Sequence, residues 1–300
     1  MKRTIGTGFV VLGTVSPVSA ETSGKEVRLG GPVKAEDPES WIKELKDRGY
    51  RAAYCPVGAN ADEMLVKAYA AAAKANDIII AEVGAWSNPM DTDGKKAKKA
   101  LNYCIEQLAL ADRIGANCCV NISGSRGEPW DGHHPKNLTE ETFGMIVEVT
   151  RKIIDGAKPA RTYFTLETMP WMYPDSADSY LRLIKAVDRK RFAAHLDPVN
   201  LVCSPRLYYN NGKLIRECFE KLGPYIKSCH AKDITLEKEF MTHLSEIRAG
   251  LGGLDYRVFL REVSKIGDLP LMLEHLKRDS EYRLAARYIR AIGRSIGLEL

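Results

Sequence analysis

The amino-acid sequence predicts a (β/α)8 barrel, and three observations carry that expectation. After residue 25, eight short apolar runs alternate with eight amphipathic stretches. The runs are too short and too continuously apolar to keep one face in water, which indicates a parallel sheet covered by helices on its faces. The first run continues as Arg28-Leu29-Gly30-Gly31-Pro32 and lacks a Gly-x-Gly-x-x-Gly turn, so an open dinucleotide-binding sheet loses its main support. A closed barrel is the economical solution for this alternation, and residues 25–300 are read as one catalytic barrel with no linker inside it.

In chain order, strands are expected over 27–30, 52–56 closing on Pro56, 78–83 opening on three isoleucines, 118–122, 163–167, 192–197, 225–230 and 271–274. Helices are expected between and after them, over 38–48, 61–75, 95–114, 140–154, 176–187, 212–222, 256–266 and 278–296. Two of these carry their own boundary chemistry. Asp37-Pro38-Glu39 offers an N-cap, a proline at the first helical position and an acid in the first turn, and Gly49 closes the same helix. Thr139 caps the fourth helix, Phe143 begins its buried face, and Gly156 with Pro159 is expected to end it. The longest loops, 86–94, 123–138 and 234–255, are expected to form lids over one end of the barrel.

Composition sets the outer limits. The 300 residues are 45% apolar and 28% charged, which excludes disordered and collagen-like architectures. The net charge of +5 comes from 44 Lys+Arg against 39 Asp+Glu without a basic stripe, so nucleic acid is not an expected partner. No apolar run reaches the roughly 18 residues of a spanning helix, so a membrane is not expected either. Residues 1–24 read as a signal peptide or N-terminal arm: Met1-Lys2-Arg3, an apolar stretch from Thr4 to Val15, then Ser16-Pro17-Val18-Ser19-Ala20. This order slightly favours export, with cleavage after Ala20. Seven cysteines in mostly apolar contexts argue the other way, for the buried free thiols of a reducing, cytoplasmic compartment.

Function is read from polar residues that interrupt strand ends, because chemistry in such barrels collects at the C-terminal ends of strands. Four consecutive strands end this way: Thr165-Leu166-Glu167, His195-Leu196-Asp197, Ser228-Cys229-His230 and Leu273-Glu274. Three carboxylates brought to one point would repel by several kcal/mol in a low-dielectric interior, and a divalent cation compensates them. Carboxylate oxygens and one imidazole, without thiolate, suit Mn2+ best, with Mg2+ or Co2+ next. Cys229 should point away from the centre that His230 faces. Around the rim, Trp86, Trp130, His133 and Trp171 are candidate substrate contacts, with His134 and Tyr173 beside them. Glu82, ending the third strand, is expected to bond substrate hydroxyls, and His275 to point outward.

These residues resemble the sugar isomerase and epimerase family of xylose-isomerase-like barrels, through Leu166-Glu167-Thr168, His195-Leu196-Asp197-Pro198-Val199-Asn200, His230-Ala231-Lys232-Asp233 and Leu273-Glu274-His275. The resemblance covers the chain after residue 25. It implies that Glu167, Asp197, His230 and Glu274 bind manganese, magnesium, cobalt or zinc, and that Glu167 and Glu274 flank the substrate as its acid/base pair. It also implies a small carbohydrate or cyclitol as substrate, handled through a metal-stabilised enediolate by isomerisation or epimerisation. A lyase or dehydratase on a keto-sugar or inosose is the alternative, using the same site. Ketose 3-epimerases carry a histidine where this chain has Asn200 and an arginine where it has Leu236. The His-x-Lys-Asp at 230–233 is closer to inosose-handling members. Asn200 and Lys232 are therefore candidate substrate contacts, with Lys232 alternatively paired to Asp233 or another rim acid. Endonuclease IV relatives need several more strand-end histidines, and a non-catalytic sugar-binding barrel would not retain all four ligands. A homo-oligomer is compatible with the sequence.

Overall fold

The computed structural model describes residues 26–300. The signal-like segment at 1–20 lies outside the described residues. Eight parallel strands close into a barrel: β1 (Arg28–Gly30), β2 (Ala52–Tyr54), β3 (Ile79–Gly84), β4 (Cys118–Asn121), β5 (Tyr163–Glu167), β6 (Phe192–Leu196), β7 (Ile226–Ala231) and, after an inserted hairpin, β10 (Pro270–Leu273). Neighbours follow chain order around the ring, and β10 pairs with both β7 and β1. The insertion is an antiparallel pair, β8 (Asp233–Leu236) and β9 (Leu244–Ile247), where the sequence suggested only a long loop. Its strands are only four residues each, and although Asp233-Ile234-Thr235-Leu236 alternates, so short a run is a weak signal.

The helices between strands are α1 (Pro38–Asp47), α2 (Glu63–Ala75), α3 (Gly94–Ile114), α4 (Glu140–Ala157), α5 (Ala177–Val187), the short α6 (Pro205–Tyr209), α7 (Asn211–Leu222), α8 (Tyr256–Ile266) and the final α9 (Asp279–Ser295). Side chains of Asp37, Asp62, Asp93, Thr139, Ser176 and Asp255 accept first-turn amides, so most N-termini are fixed by sequence-local bonds. The expected end of α4 needs correction. Gly156 lies inside the helix, where an added Cβ would stand 2.8 Å from Ile105 Cδ1, so this glycine permits close approach of α3. Lys158, at φ 49°, takes the left-handed cap. No described helix is long and apolar enough to cross a membrane. Of the seven free cysteines, five are buried; Cys55 is half-buried and Cys203 exposed.

Strand alternation sorts the side chains into two environments. Leu271 and Leu273 join the continuous core between strands and helices, whereas Met272 packs with Ala52 and Ala81 in a separate cluster inside the barrel. On β7, Cys229 and Ala231 likewise belong to the outer core, which turns His230 inward. Between β2 and β3 the register shifts, with Ala53 opposite Ile80 but Tyr54 opposite Glu82. This bulge lets two consecutive residues of β3, Ala81 and Glu82, both serve the interior.

Strands β5 and β6 are tied from outside by one buried phenol. The Tyr180 hydroxyl accepts from the amides of Leu166 at 3.0 Å and His195 at 3.1 Å, and donates to the Leu166 carbonyl. These bonds act within one or two residues of Glu167 and Asp197. Tyr180→Phe keeps the ring but deprives buried backbone groups of partners, which should destabilise the fold by about 1–3 kcal/mol. The check is a lower urea midpoint at unchanged slope; an unchanged midpoint would show that the strands pair without the hydroxyl.

Candidate metal centre and cavity

The closed barrel brings the four strand-end residues to one point. Glu167 ends β5, Asp197 follows β6, His230 lies on β7 and Glu274 follows β10; one donor atom from each falls within 4.8 Å of all the others. His230 Nδ1 is 3.1 Å from Glu167 Oε1, 2.9 Å from Glu274 Oε1 and 3.9 Å from Asp197 Oδ2. Asp197 and His230 are fully buried, while Glu167 and Glu274 also line a cavity above them.

Neighbouring groups fix each donor. Asp197 Oδ1 accepts from the Val199 amide at 2.9 Å, and the Thr168 hydroxyl donates to the Asp197 carbonyl at 2.8 Å. Asn200 Nδ2 donates to Glu167 Oε1 and to the Thr168 carbonyl, both at 3.1 Å. Asn200 thus borders the cavity as expected, yet its amide is engaged in orienting Glu167. Glu82 departs further from expectation. It is 1% exposed, and its carboxylate meets His230 Nε2 at 3.0 Å, His195 Nε2 at 2.9 Å and the Ser228 hydroxyl at 2.8 Å. Its place is beneath the centre, because the β3 bulge turns it inward. Bonding Glu82 through Nε2 leaves His230 Nδ1 facing the other three carboxylates, the carboxylate–histidine arrangement that supports a metal ligand.

The electrostatics suit a cation among these donors. Burial drives the Asp197 carboxyl up, and although Lys232 opposes this, Glu167 and Glu274 add to it, leaving Asp197 at about 7. Burial likewise pushes Glu82, Glu167 and Glu274 up, but the His230 imidazole outweighs it and holds all three below the usual carboxylate range. Burial would lower His230; the carboxylates of Glu274, Glu167 and Glu82 push it well above the ordinary histidine range instead. Lys232 Nζ approaches Asp197 Oδ2 at 2.6 Å and Glu274 Oε1 at 2.8 Å, so the rim-acid pairing holds and Asp233 is not its partner. Even so, Asp197 Oδ2 and Glu274 Oε1 are buried without a well-formed hydrogen bond. Four carboxylates around one ammonium, with neutral imidazoles, accommodate a dication and retain one net negative charge. Three carboxylates and an imidazole therefore fit a divalent ion. A second close group, Glu82, His195 and His230, has its facing atoms joined to one another and forms the supporting layer.

The cavity has a volume of ≈ 580 Å³ and opens at the C-terminal ends of the strands. Trp86, Trp130, Trp171, Asn200 and Lys232 line it, whereas His133 is exposed and is not among the lining residues. Several lining residues lay outside the sequence reading. Tyr54 donates to the Leu273 carbonyl at 3.1 Å, and Glu246 reaches in from β9. His275 takes a left-handed backbone, φ 57°, which turns its ring toward Glu246 at 3.2 Å and into the cavity wall. No local pattern marks Glu246, since only the hairpin pairing brings it there.

Removing charge from beneath the centre tests this layered arrangement. Glu82→Gln keeps the size and one acceptor but weakens the hold on His230, and should lower divalent-cation affinity about 10–100-fold by calorimetric titration. Unchanged affinity would show that Glu82 serves only barrel packing.

Comparison with known proteins places this geometry in a wider group. None of the curated proteins matches the chain significantly. Among solved structures, D-psicose 3-epimerase with D-tagatose from Clostridium cellulolyticum H10 is 15% identical, with TM-score 0.63 over 92% of this chain and 100% of that one. A chain described as a probable 3-DHS dehydratase of petrobactin synthesis, from Bacillus anthracis, is 16% identical, with TM-score 0.65 over 88% and 98%. Endonuclease IV from Thermus thermophilus is 14% identical, with TM-score 0.66 over 90% and 99%. At such identities the likeness establishes the fold. The family described as xylose isomerase-like TIM barrel matches residues 42–292, and the chain belongs to that family.

Proposed function

We propose that the protein is a divalent-metal-dependent isomerase or epimerase that moves a proton next to the carbonyl of a sugar, keto-sugar or cyclitol. One observation carries this reading: Glu167 and Glu274 belong to the buried donor cluster and also face the cavity. A dication bound there, Mn2+ by the hardness of the donors, would polarise a carbonyl and acidify the adjacent C–H. Glu167 and Glu274 are then placed to take the proton from carbon and to return one. Asn200 fixes the direction of Glu167 Oε1, and the Lys232 ammonium beside Glu274 favours its ionised, basic form. The indoles of Trp86, Trp130 and Trp171 supply apolar faces for a hydroxylated ring. Only one of the chain's six histidines joins the carboxylate cluster, which sets this site apart from a histidine-rich nuclease centre.

A lyase is the second reading, and Lys232 and His275 favour it. Both line the cavity, and each carries a proton that a departing hydroxyl needs. In either case the first event is proton removal from carbon. Metal-loaded protein incubated in deuterated water with a panel of keto-sugars and cyclitols should therefore incorporate deuterium, followed by NMR. Glu167→Gln or Glu274→Gln should slow that exchange by roughly 10²-fold or more, the usual worth of a general base. A rearranged product identifies an isomerase or epimerase, and an unsaturated one a lyase. Turnover without any solvent deuterium would contradict both and indicate direct hydride transfer between carbons.

A further inference from the structure

We infer that the substrate is an uncharged keto-glycoside: a ketone-bearing sugar ring over the carboxylate centre, joined to a second flat ring that stacks on the tryptophan wall. The inference rests on the proposed function for the placement of the reacting ring. Its own support is the chemistry of the cavity away from the centre.

The first argument concerns charge. In barrels of this kind, phosphate groups are commonly held by backbone amides in the loops after the seventh and eighth strands. Here the loop after β7 already has its anion. Asp233, fully buried, accepts from the amides of Ile234 and Leu254 at 2.9 Å through Oδ1, and from Gly250 at 2.9 Å and Gly252 at 3.2 Å through Oδ2. The loop wraps this carboxylate so tightly that a Cβ on Gly252 would stand 2.4 Å from Asp233 Oδ1. After β10, helix α9 opens with Asp279, paired to Arg48 at 3.0 Å and Arg283 at 2.7 Å, and with Glu281, 3.7 Å from Arg278. Among the described residues no arginine lines the cavity, and the one lysine that does, Lys232, is held by Asp197 and Glu274. Asp131 adds a carboxylate to the walls, while Glu246 is paired with His275 at 3.2 Å and Lys232 at 3.5 Å. A phosphorylated or carboxylated sugar therefore finds the amides after β7 taken by Asp233 and the lysine of the cavity already paired.

The second argument concerns size and shape. At ≈ 580 Å³ the cavity falls in the range of about 300–1,000 Å³ that houses drug-sized ligands, which exceeds the needs of one pyranose ring. The surplus is walled by indoles that stay open: Trp86 is 42% and Trp171 40% exposed. Trp171 is held in place through its indole N–H, which donates to the Asp131 carbonyl at 2.8 Å. A pinned, exposed aromatic wall beside a polar floor suits a ligand with a hydroxylated end and a flat end.

Tryptophan fluorescence reads this directly, since three of the four tryptophans line the cavity and the fourth, Trp41, is buried in the core. Metal-loaded protein is titrated with matched methyl glycosides, phenyl glycosides and disaccharides of glucose, galactose, mannose and xylose, and with the hexose 6-phosphates. For at least one sugar, the phenyl glycoside or disaccharide should bind about tenfold or more tightly than the methyl glycoside. Which of the two does so identifies the second ring. Each 6-phosphate should bind more weakly than its neutral parent. Trp171→Ala should abolish the advantage of the larger ligand over its methyl counterpart, and Trp171→Phe should restore part of it. If no larger glycoside outbinds its methyl counterpart, the stacking subsite is overturned; if any 6-phosphate binds as tightly as its parent, the exclusion of charge is. Glycoside preference without divalent-cation binding or deuterium exchange would sink the proposed function and leave this inference standing. Exchange on simple sugars without such a preference would do the reverse.

Discussion

Glu167, Asp197 and Glu274 converge on His230 with donor atoms inside 4.8 Å, and the mutual repulsion of those carboxylates governs the rest of the site. Desolvated like charges at that separation cost several kcal/mol unless a cation stands among them. Part of the compensation is built in, because Lys232 lies 2.6 Å from Asp197 and 2.8 Å from Glu274. One ammonium and the His230 imidazole, itself held well above the ordinary histidine range, do not offset four carboxylates once Glu82 is included. Burial, with Glu167 and Glu274 adding to it, keeps the Asp197 carboxyl elevated, and Asp197 Oδ2 and Glu274 Oε1 have ion pairs to Lys232 but no well-formed hydrogen bond. A dication is the group that relieves the imbalance with the donors already in position.

Around this centre the barrel supplies two kinds of support. From below, Glu82 holds His230 and His195 together with Ser228, so the imidazole cannot rotate away. From the strand ends, Thr168 and Asn200 connect the loop after β5 to that after β6, and Tyr180 binds the same two strands from the helix side. The precision of the site comes from strands and their first loop residues, while the cavity walls come from longer loops and from the β8–β9 hairpin. That division separates the chemistry, set by rigid strands, from substrate choice, set by Trp86, Trp130, Trp171, Glu246 and His275.

The legible parts of this arrangement were those encoded locally. Strands ending in Glu167, Asp197, His230 and Glu274 could be read because apolar runs terminate in single ionisable residues, and ring closure then brings successive strand ends together. Cys229 could be assigned to the outer core from alternation alone. Glu82 was misplaced because a bulge changes the direction of a side chain without altering the apolar pattern. His133 was misplaced because loop residues have no periodicity to state which way they face. Glu246 was missed since its position depends on cross-strand pairing between Ile234 and Glu246 in a polar hairpin. His275 stays exposed, as alternation suggests, and its place at the cavity mouth beside Glu246 follows from a positive φ that sequence does not announce.

The central claim is that the carboxylate cluster is a divalent-cation site, and equilibrium dialysis against Mn2+ tests it most directly. Wild-type protein should retain one equivalent, and Asp197→Ala, which removes a fully buried donor without disturbing the outer core, should retain none while staying folded by circular dichroism. Wild-type protein that binds no divalent ion, or a folded Asp197→Ala variant that binds a full equivalent with unchanged affinity, would contradict the account.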